Sequence, residues 1–516
     1  MTHHQIKSYY ILKLWKSLSL SLLLFLLTGL FGCSKRKTAA PLESILVRIG
    51  DRIITVDEFI RRAEYTIRPP YCKGDNYIHR KIILNSLIAE KLLALEAGTK
   101  NELFNNSEFQ NYIRGRKEQA MRQYFYSDRA YDRIRLDSTE LNQAFQLAGR
   151  TYRIQYLRLP DEKTAEKFYH LSQNEGCNFE QLAAEVLPDS NIPIREIGFN
   201  DDLNEATFKA IFSKPLRKDE ILYPVESDDG SYLLMKVAGW TVEMVITENE
   251  INQRWENTSK KIKTLQANQL YREQVADIMH GKILKFNEHS FYRLAELLAP
   301  LYLKTMQEKQ AAFNQQFWGK GQEVELDTGA TQTYQALRDE QLFTLAGQIW
   351  TVADFEQEVQ SHPLVFRKRQ INHNEFPEQL KFAIADLIRD KYINNEAYKA
   401  GYDKLPAVHN YTTMWQDNLI ALYWRNQYLA EHGFRGNFGK DYLKAISEYL
   451  NPYVDSLQAK YSDKIEINTV AFEKIKLTDI DLFALQSGVP YPIISPNFPI
   501  LTTDNKLNYG RKLQVQ

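Results

Sequence analysis

LIAEKLLALEA, Leu87 to Ala97, and LIRDKYINNEA, Leu387 to Ala397, are two versions of one apolar helix, 300 residues apart (387 − 87). A pattern that occurs twice marks a repeated unit, so the flanks of each copy set the architecture. Ile83, Leu84, Leu87, Ile88, Leu92 and Leu95 recur at the spacing of one helix face, as do Ile384, Leu387, Ile388 and Ile393. Each helix is therefore expected to bury one face.

Upstream, ILVRIGDRIITVDEF (45–59) alternates about a Gly50-Asp51 turn, the pattern of a β-hairpin. Thr55 and Glu58 then make a capping box that starts a helix. LFTLAGQIWTVADF (342–355) repeats this with Thr351 and Asp354, at an offset of 296 (351 − 55). Downstream, each helix is followed by another, NYIRGRKEQAMRQYFY and YTTMWQDNLIALYWRNQYL. A third block, KILKFNEHSFYRL with Asn287 and Phe291, resembles KIEINTVAFEKI with Asn468 and Phe472, but at an offset of 181 (468 − 287). The first copy thus holds about 119 extra residues (300 − 181), the size of an inserted domain. The expected divisions are a helical segment at 45–140, an insert at 141–245, a helical return and connector at 246–335, a second helical copy at 336–478, and an extended tail at 479–516. The tail holds four prolines among apolar residues, and packing on its own chain is preferred over packing on a partner.

The insert opens on TYRIQYLRLP, an alternating strand, continues through two helices broken at Gly176-Cys177-Asn178, and closes on two strands about Ser227 to Gly230. This is an α+β unit within a mainly α chain. Phe179 to Glu185 before Asp189, the Ile197-Gly198-Phe199 strand, Phe212 before Leu216 to Ile221, and Tyr232 to Val237 together resemble the parvulin, or rotamase, domain of peptidyl-prolyl isomerases. The resemblance covers about 90 residues. The hairpin-plus-helix frame is similar to the SurA-type and PrsA-type periplasmic foldases, which interrupt a chaperone core with parvulin domains.

That resemblance implies rotation about an X-Pro amide, a barrier of about 18–20 kcal/mol. An apolar pocket holds the proline, and a polar cluster with two histidines and a Cys or Asp supports the twisted amide. Asp189 matches the Cys or Asp position. The first histidine falls at Tyr156, or at Gln155 in a slipped register, and the second at Leu233, so both are replaced. Leu203 and Phe208 match the proline pocket. A tyrosine hydroxyl can replace one hydrogen bond, whereas leucine can replace none. The catalytic candidates are therefore Asp189 and Tyr156, in a site expected to be degenerate.

Residues 1–33 carry Lys7, Lys13 and Lys16 ahead of LSLSLLLFLLTGLFG and Cys33, the basic and apolar regions of a secretory signal. Leu30-Phe31-Gly32-Cys33 looks like a bacterial lipobox, with Cys33 as the lipid-bearing residue. Ser34 follows it, so the expected location is the periplasmic face of a membrane, the outer in preference to the inner, with 34–44 as a tether. Cys72 and Cys177 stand in different segments, which disfavours a disulfide.

Lys plus Arg and Asp plus Glu number 65 each among 516 residues, so no large field draws nucleic acid. His280 and His289 lie near acidic residues without metal-ligand spacing, and no phosphate-cradling glycine loop occurs. No metal, cofactor or nucleotide is expected. The expected function is a membrane-tethered chaperone or foldase that binds unfolded or extended polypeptides, outer-membrane proteins among them. The alternatives are an active isomerase with a substituted site, and an accessory lipoprotein that uses the parvulin fold as an interaction module.

Overall fold

Gly50, at φ 60°, reverses the chain between β1 (Ile45–Ile49) and β2 (Arg52–Thr55), a conformation that glycine adopts at little cost. Helix α1 (Val56–Glu64) starts at Thr55, whose hydroxyl accepts the Glu58 N–H at 3.0 Å. Helices α2 (Tyr77–Ala97), α3 (Ser107–Arg129) and α4 (Ser138–Ala148) follow. The insert then runs β3 (Arg150–Leu159), α5 (Glu162–Asn174), α6 (Phe179–Val186), β4 (Ile194–Gly198), α7 (Glu205–Phe212), β5 (Ile221–Glu226) and β6 (Tyr232–Val242). Helix α8 (Glu248–Met279) leads to β7 (Leu284–Phe286) and α9 (Glu288–Tyr302). A second hairpin, β8 (Gln341–Leu345) and β9 (Gln348–Thr351), precedes α10 (Val352–Ser361), α11 (Phe376–Lys399) and α12 (Pro406–Glu431). The chain closes with α13 (Asn451–Lys460), β10 (Ile465–Ile467), α14 (Thr469–Lys474) and β11 (Arg511–Lys512). The fold is mainly helical with small sheets. These elements belong to a computed structural model that describes residues 45–174, 177–187, 191–227, 230–303, 334–368, 371–477 and 494–513.

The strands form three sheets, ordered β11-β10-β1-β2, β4-β3-β6-β5 and β7-β8-β9. The first and third exchange partners between the two repeated segments. Hairpin β1–β2 takes its third strand from residues 465–467, with Val47 opposite Ile467 and Ile49 opposite Ile465. Hairpin β8–β9 takes its third strand from residues 284–286, with Phe343 opposite Phe286 and Leu345 opposite Leu284. Under offsets of 296 and 181 these are the same pairs. The hydrogen bonds around them match too. The Asn468 N–H donates to Leu46 O at 2.8 Å and the Asn287 N–H to Leu342 O at 2.9 Å; Gly50 donates to Lys464 O and Ala346 to Ile283 O. Asn468 and Asn287 each then cap the helix that follows.

The helices continue the exchange. Helix α2 packs on α12, and α11 on α3. One core joins β1, β2, α1 and α2 to α13, β10 and Phe472, and another joins α9 to β8, α10 and α11. Between them, α3, α8, α11 and α12 share a third cluster that includes Phe125, Tyr271, Ile393 and Trp415.

Two expectations change. Helix α2 buries every residue from Ile82 to Ala94, Asn85, Ser86, Glu90 and Lys91 included, rather than one face. Its polar positions are matched by neighbours: Asn85 Nδ2 donates to Asp504 O and Lys506 O at 2.7 and 2.9 Å, and Arg62 binds Glu90 through two bonds of 2.9 and 2.7 Å. Residues 494–513 of the tail thus cover this helix. The capping box is complete at Thr351 and Asp354 but only half made at Thr55. The Glu58 carboxylate turns inward instead, 3.2 Å from the Lys91 ammonium.

In the insert, strand alternation gives the sheet two packed faces. Tyr152, Ile154, Met235 and Val237 join α7 and residues of α4 and α8 on one face, while Leu157, Leu159 and Leu234 join α5 and α6 on the other. Cys72 and Cys177 are free thiols in separate clusters. Burial pushes the Cys72 thiol up to about 12.

Candidate functional site

Tyr156 and Met235 stand opposite each other on β3 and β6, and Arg158 stands opposite Leu233. The pleat turns Tyr156, Leu233 and Met235 to the face that α7 covers in part. Asn204 caps α7 by accepting the Thr207 N–H at 2.8 Å, and its amide donates to Glu226 O at 3.0 Å, which ties the loop before α7 to the end of β5. Leu203, one residue earlier, is thereby held over the sheet. The result is a groove of about 150 Å³ walled by Ile154, Tyr156, Leu203, Leu233 and Met235, with Arg158 and Asp202 among its polar lining residues.

Tyr156 is half-buried, and its hydroxyl has no hydrogen-bond partner among the described residues. Its N–H donates to Pro193 O at 3.2 Å. Gln155, the alternative to Tyr156, belongs by alternation to the opposite face. Leu233 presents only methyl groups. Phe208 does not line the groove. It is buried beneath it, its ring 5.1 Å from that of Phe199 and 5.3 Å from that of Phe212. Asp189 and Cys33 lie outside the described residues.

Helix α8 braces the groove from behind. Arg272 grips Glu205, in the first turn of α7, through bonds of 2.8 and 3.1 Å, and Lys261 Nζ donates to Asp201 O at 3.2 Å. Burial works to raise the Glu205 carboxyl, but bonds from Arg272 and Lys209 outweigh it and hold the group below the ordinary glutamate value. Burial pushes Lys261 down against the opposing pull of Asp202 and Asp201.

The groove can therefore hold an apolar side chain against Leu203, Leu233 and Met235, beside a polar side made by Tyr156, Arg158, Arg195, Thr207 and Ser227. Its lining holds no histidine.

Two larger cavities lie in the helical frame, and sequence reasoning did not single out either. One, of about 550 Å³, is lined by Tyr65, Tyr124, Tyr126, Tyr131 and Tyr411. Its tyrosines come from α3, α12 and connecting segments, so no local spacing announces it. The other, of about 540 Å³, lies beside the buried Asp390, which His362 Nε2 meets at 2.9 Å. No cluster of three or more metal-ligating side chains occurs among the described residues.

No family model matches this chain, and no curated protein matches it. Among solved structures it is similar to the peptidylprolyl isomerase PrsA of Bacillus cereus at 15% identity, covering 43% of this chain and 88% of that one, with a TM-score of 0.19. It is similar to the foldase protein PrsA of Streptococcus pneumoniae at 15% identity over the same shares, with a TM-score of 0.21. For PrsA of Bacillus subtilis the identity is 20%, the coverage 37% and 79%, and the TM-score 0.15. Residue roles are not transferable at these values.

Proposed function

We propose that this protein is a membrane-tethered chaperone or foldase that binds extended polypeptide, with a parvulin-like insert whose isomerase site is degenerate. The observation that carries the reading is the groove itself. Its apolar wall suits a residue such as proline, while Tyr156 and Leu233 stand where the resemblance calls for histidines, and no histidine lines the groove. Holding a side chain in such a groove requires apolar contact, whereas lowering an amide barrier requires preorganised donors. The tyrosine-lined cavity of the frame supplies further contact area at small entropic cost.

On this reading the chain is exported, lipidated on Cys33 and held at the periplasmic face of a membrane, the outer in preference to the inner. Its clients are unfolded exported proteins, outer-membrane proteins among them. No helix among the described residues is long and apolar enough to cross a membrane. The test is whether the purified chain suppresses aggregation of an unfolded, aromatic-rich client. Suppression at stoichiometric ratio supports the reading, and none at a tenfold excess overturns it. The unpartnered Tyr156 hydroxyl favours the second reading, an active isomerase. A proline-limited refolding assay decides between them: the expected rate is the spontaneous one, and an acceleration that Tyr156→Phe removes would establish the enzyme.

A further inference from the structure

Strand β6 is longer than the strand that flanks it. Hairpin partner β5 pairs with it only as far as Ile221 opposite Lys236, and the last bonds on that side join Val237 to Asp219 and Glu220. On its other side β6 continues against β3 to Val242 opposite Arg150. From Gly239 to Val242 the strand therefore has a neighbour on one side and none on the other among the described residues.

The polarity of that edge follows from one bond. The Glu243 N–H donates to Gly149 O at 2.8 Å, on the β3 side. Backbone groups alternate along an antiparallel strand, so the N–H and C=O of Trp240 and Val242 point the other way, to the open edge. A Cβ placed on Gly239 would meet no atom within 4 Å, so the sheet face beside that residue is open.

The side chains along this stretch are apolar and exposed in part or in full. Trp240 is 38% exposed, Val242 58%, Met244 81% and Ile246 85%, at every second position. Ile251 and Trp255, one turn apart on α8, continue the patch, and Phe145 lies against Trp255 at 5.3 Å. Exposed apolar rows of this kind mark interaction surfaces, and an unpaired strand edge accepts another strand. The surrounding charge is mixed: the Arg150 guanidinium lies 5.5 Å from the centre of the Trp240 ring and Glu243 engages Arg254, while Glu248 and Glu256 are exposed with no ion pair among the described residues.

We infer that the open edge of β6 from Gly239 to Val242, with the apolar row out to Ile246, binds an extended polypeptide segment as an added strand. The segment carries apolar side chains at alternate positions. Main-chain hydrogen bonds to Trp240 and Val242 give affinity without sequence preference, and the apolar row selects the composition. This site rests on the reading of the protein as a polypeptide binder, and it is separate from the groove at Tyr156.

The test uses the full chain and a fluorescent eight-residue peptide of alternating valine and tyrosine with a lysine at each end. Wild-type protein is expected to bind it. Val242→Pro deletes one outward N–H without touching the β3 ladder, and is expected to weaken binding about tenfold at unchanged Tm. The same peptide N-methylated at alternate residues, on one edge and then on the other, probes the wild-type protein and needs no variant. One methylated form is expected to lose binding. Equal binding of both methylated forms, or of Val242→Pro and wild type, overturns the site. If the wild-type chain suppresses client aggregation and Val242→Pro does so equally, the edge fails and the chaperone reading stands. If peptide binds at the edge but no aggregation is suppressed, the chaperone reading fails and the edge stands.

Discussion

Ile49 stands opposite Ile465, near the other end of the chain, and Leu345 stands opposite Leu284 in the equivalent pair. Each hairpin is thus completed by a strand from the other copy of the repeat. The two hairpins cannot be separated by cutting the chain between them.

Damage at one end should therefore surface at the other. Ile467, buried opposite Val47, anchors the exchanged strand of the first sheet. Ile467→Ala is expected to cost about 2 to 5 kcal/mol. Hydrogen exchange should rise at residues 45–55 and stay near wild type at 341–351. Equal acceleration at both hairpins would contradict the exchange of strands.

Arg62 and Glu90 are fully buried, and Asn418 Nδ2 adds a third bond to the Glu90 carboxylate at 2.6 Å. Removing one partner leaves an uncompensated charge. Arg62→Ala is expected to lose about 3 to 5 kcal/mol by denaturant unfolding, and the double substitution Arg62→Met with Glu90→Leu to lose less than Arg62→Ala alone. A double variant that is the less stable of the two would show that the pair contributes more than its desolvation costs.

Burial alone would raise the Asp390 carboxyl, but the hydrogen bond from His362 and the guanidinium groups of Arg122 and Arg389 outweigh it and hold it far below the ordinary value. The unfolded chain titrates near ~3.9. A folded value below that means the charged form stabilises the protein above pH about 4, and the contribution is lost as pH falls toward the folded value. Asp390→Asn should be less stable at neutral pH and should show a shallower loss of stability between pH 4 and 2. Parallel acid limbs for the two proteins would remove Asp390 from acid unfolding.

Gly115 sits inside α3, where alanine would ordinarily favour the helix by about 1 kcal/mol. Here a Cβ would lie 1.9 Å from the Ser361 carbonyl oxygen, backbone at the end of α10. Gly115→Ala is expected to lower stability by about 2 kcal/mol because α3 and α10 must move apart. A thermal melt that rises instead would show that the crossing is loose.

Leu203 and Leu233 both line the groove of the insert. Leu203→Asp should weaken binding of a proline-containing apolar peptide about tenfold and leave α-helical circular dichroism unchanged. Loss of that binding with no change in the valine–tyrosine peptide would separate the groove from the edge of β6.

Local pattern made much of this legible. The alternation of Ile45 to Thr55 about Gly50, the period of the helix at Leu87 and its second version at Leu387, and the strand–helix order of the insert each report contacts within a few residues, which periodicity encodes directly. The placing of Tyr156 and Leu233 on one face follows from the same alternation. What periodicity cannot carry is the identity of a distant partner. Strands 284–286 and 465–467 offer the same apolar alternation and the same following asparagine cap, so either could complete either hairpin; helix packing and chain connectivity decide, and they place the strands crosswise. The burial of α2 on every side depends likewise on residues 494–513 and on α12, and the burial of Phe208 beneath the groove depends on Phe199 and Phe212. By itself the sequence determined which elements form and which faces are apolar. Only the tertiary structure decided which of those faces meet, because that choice is made by shape and hydrogen bonding between segments that no local period links, hundreds of residues apart for β1 and β10 and for α2 and α12.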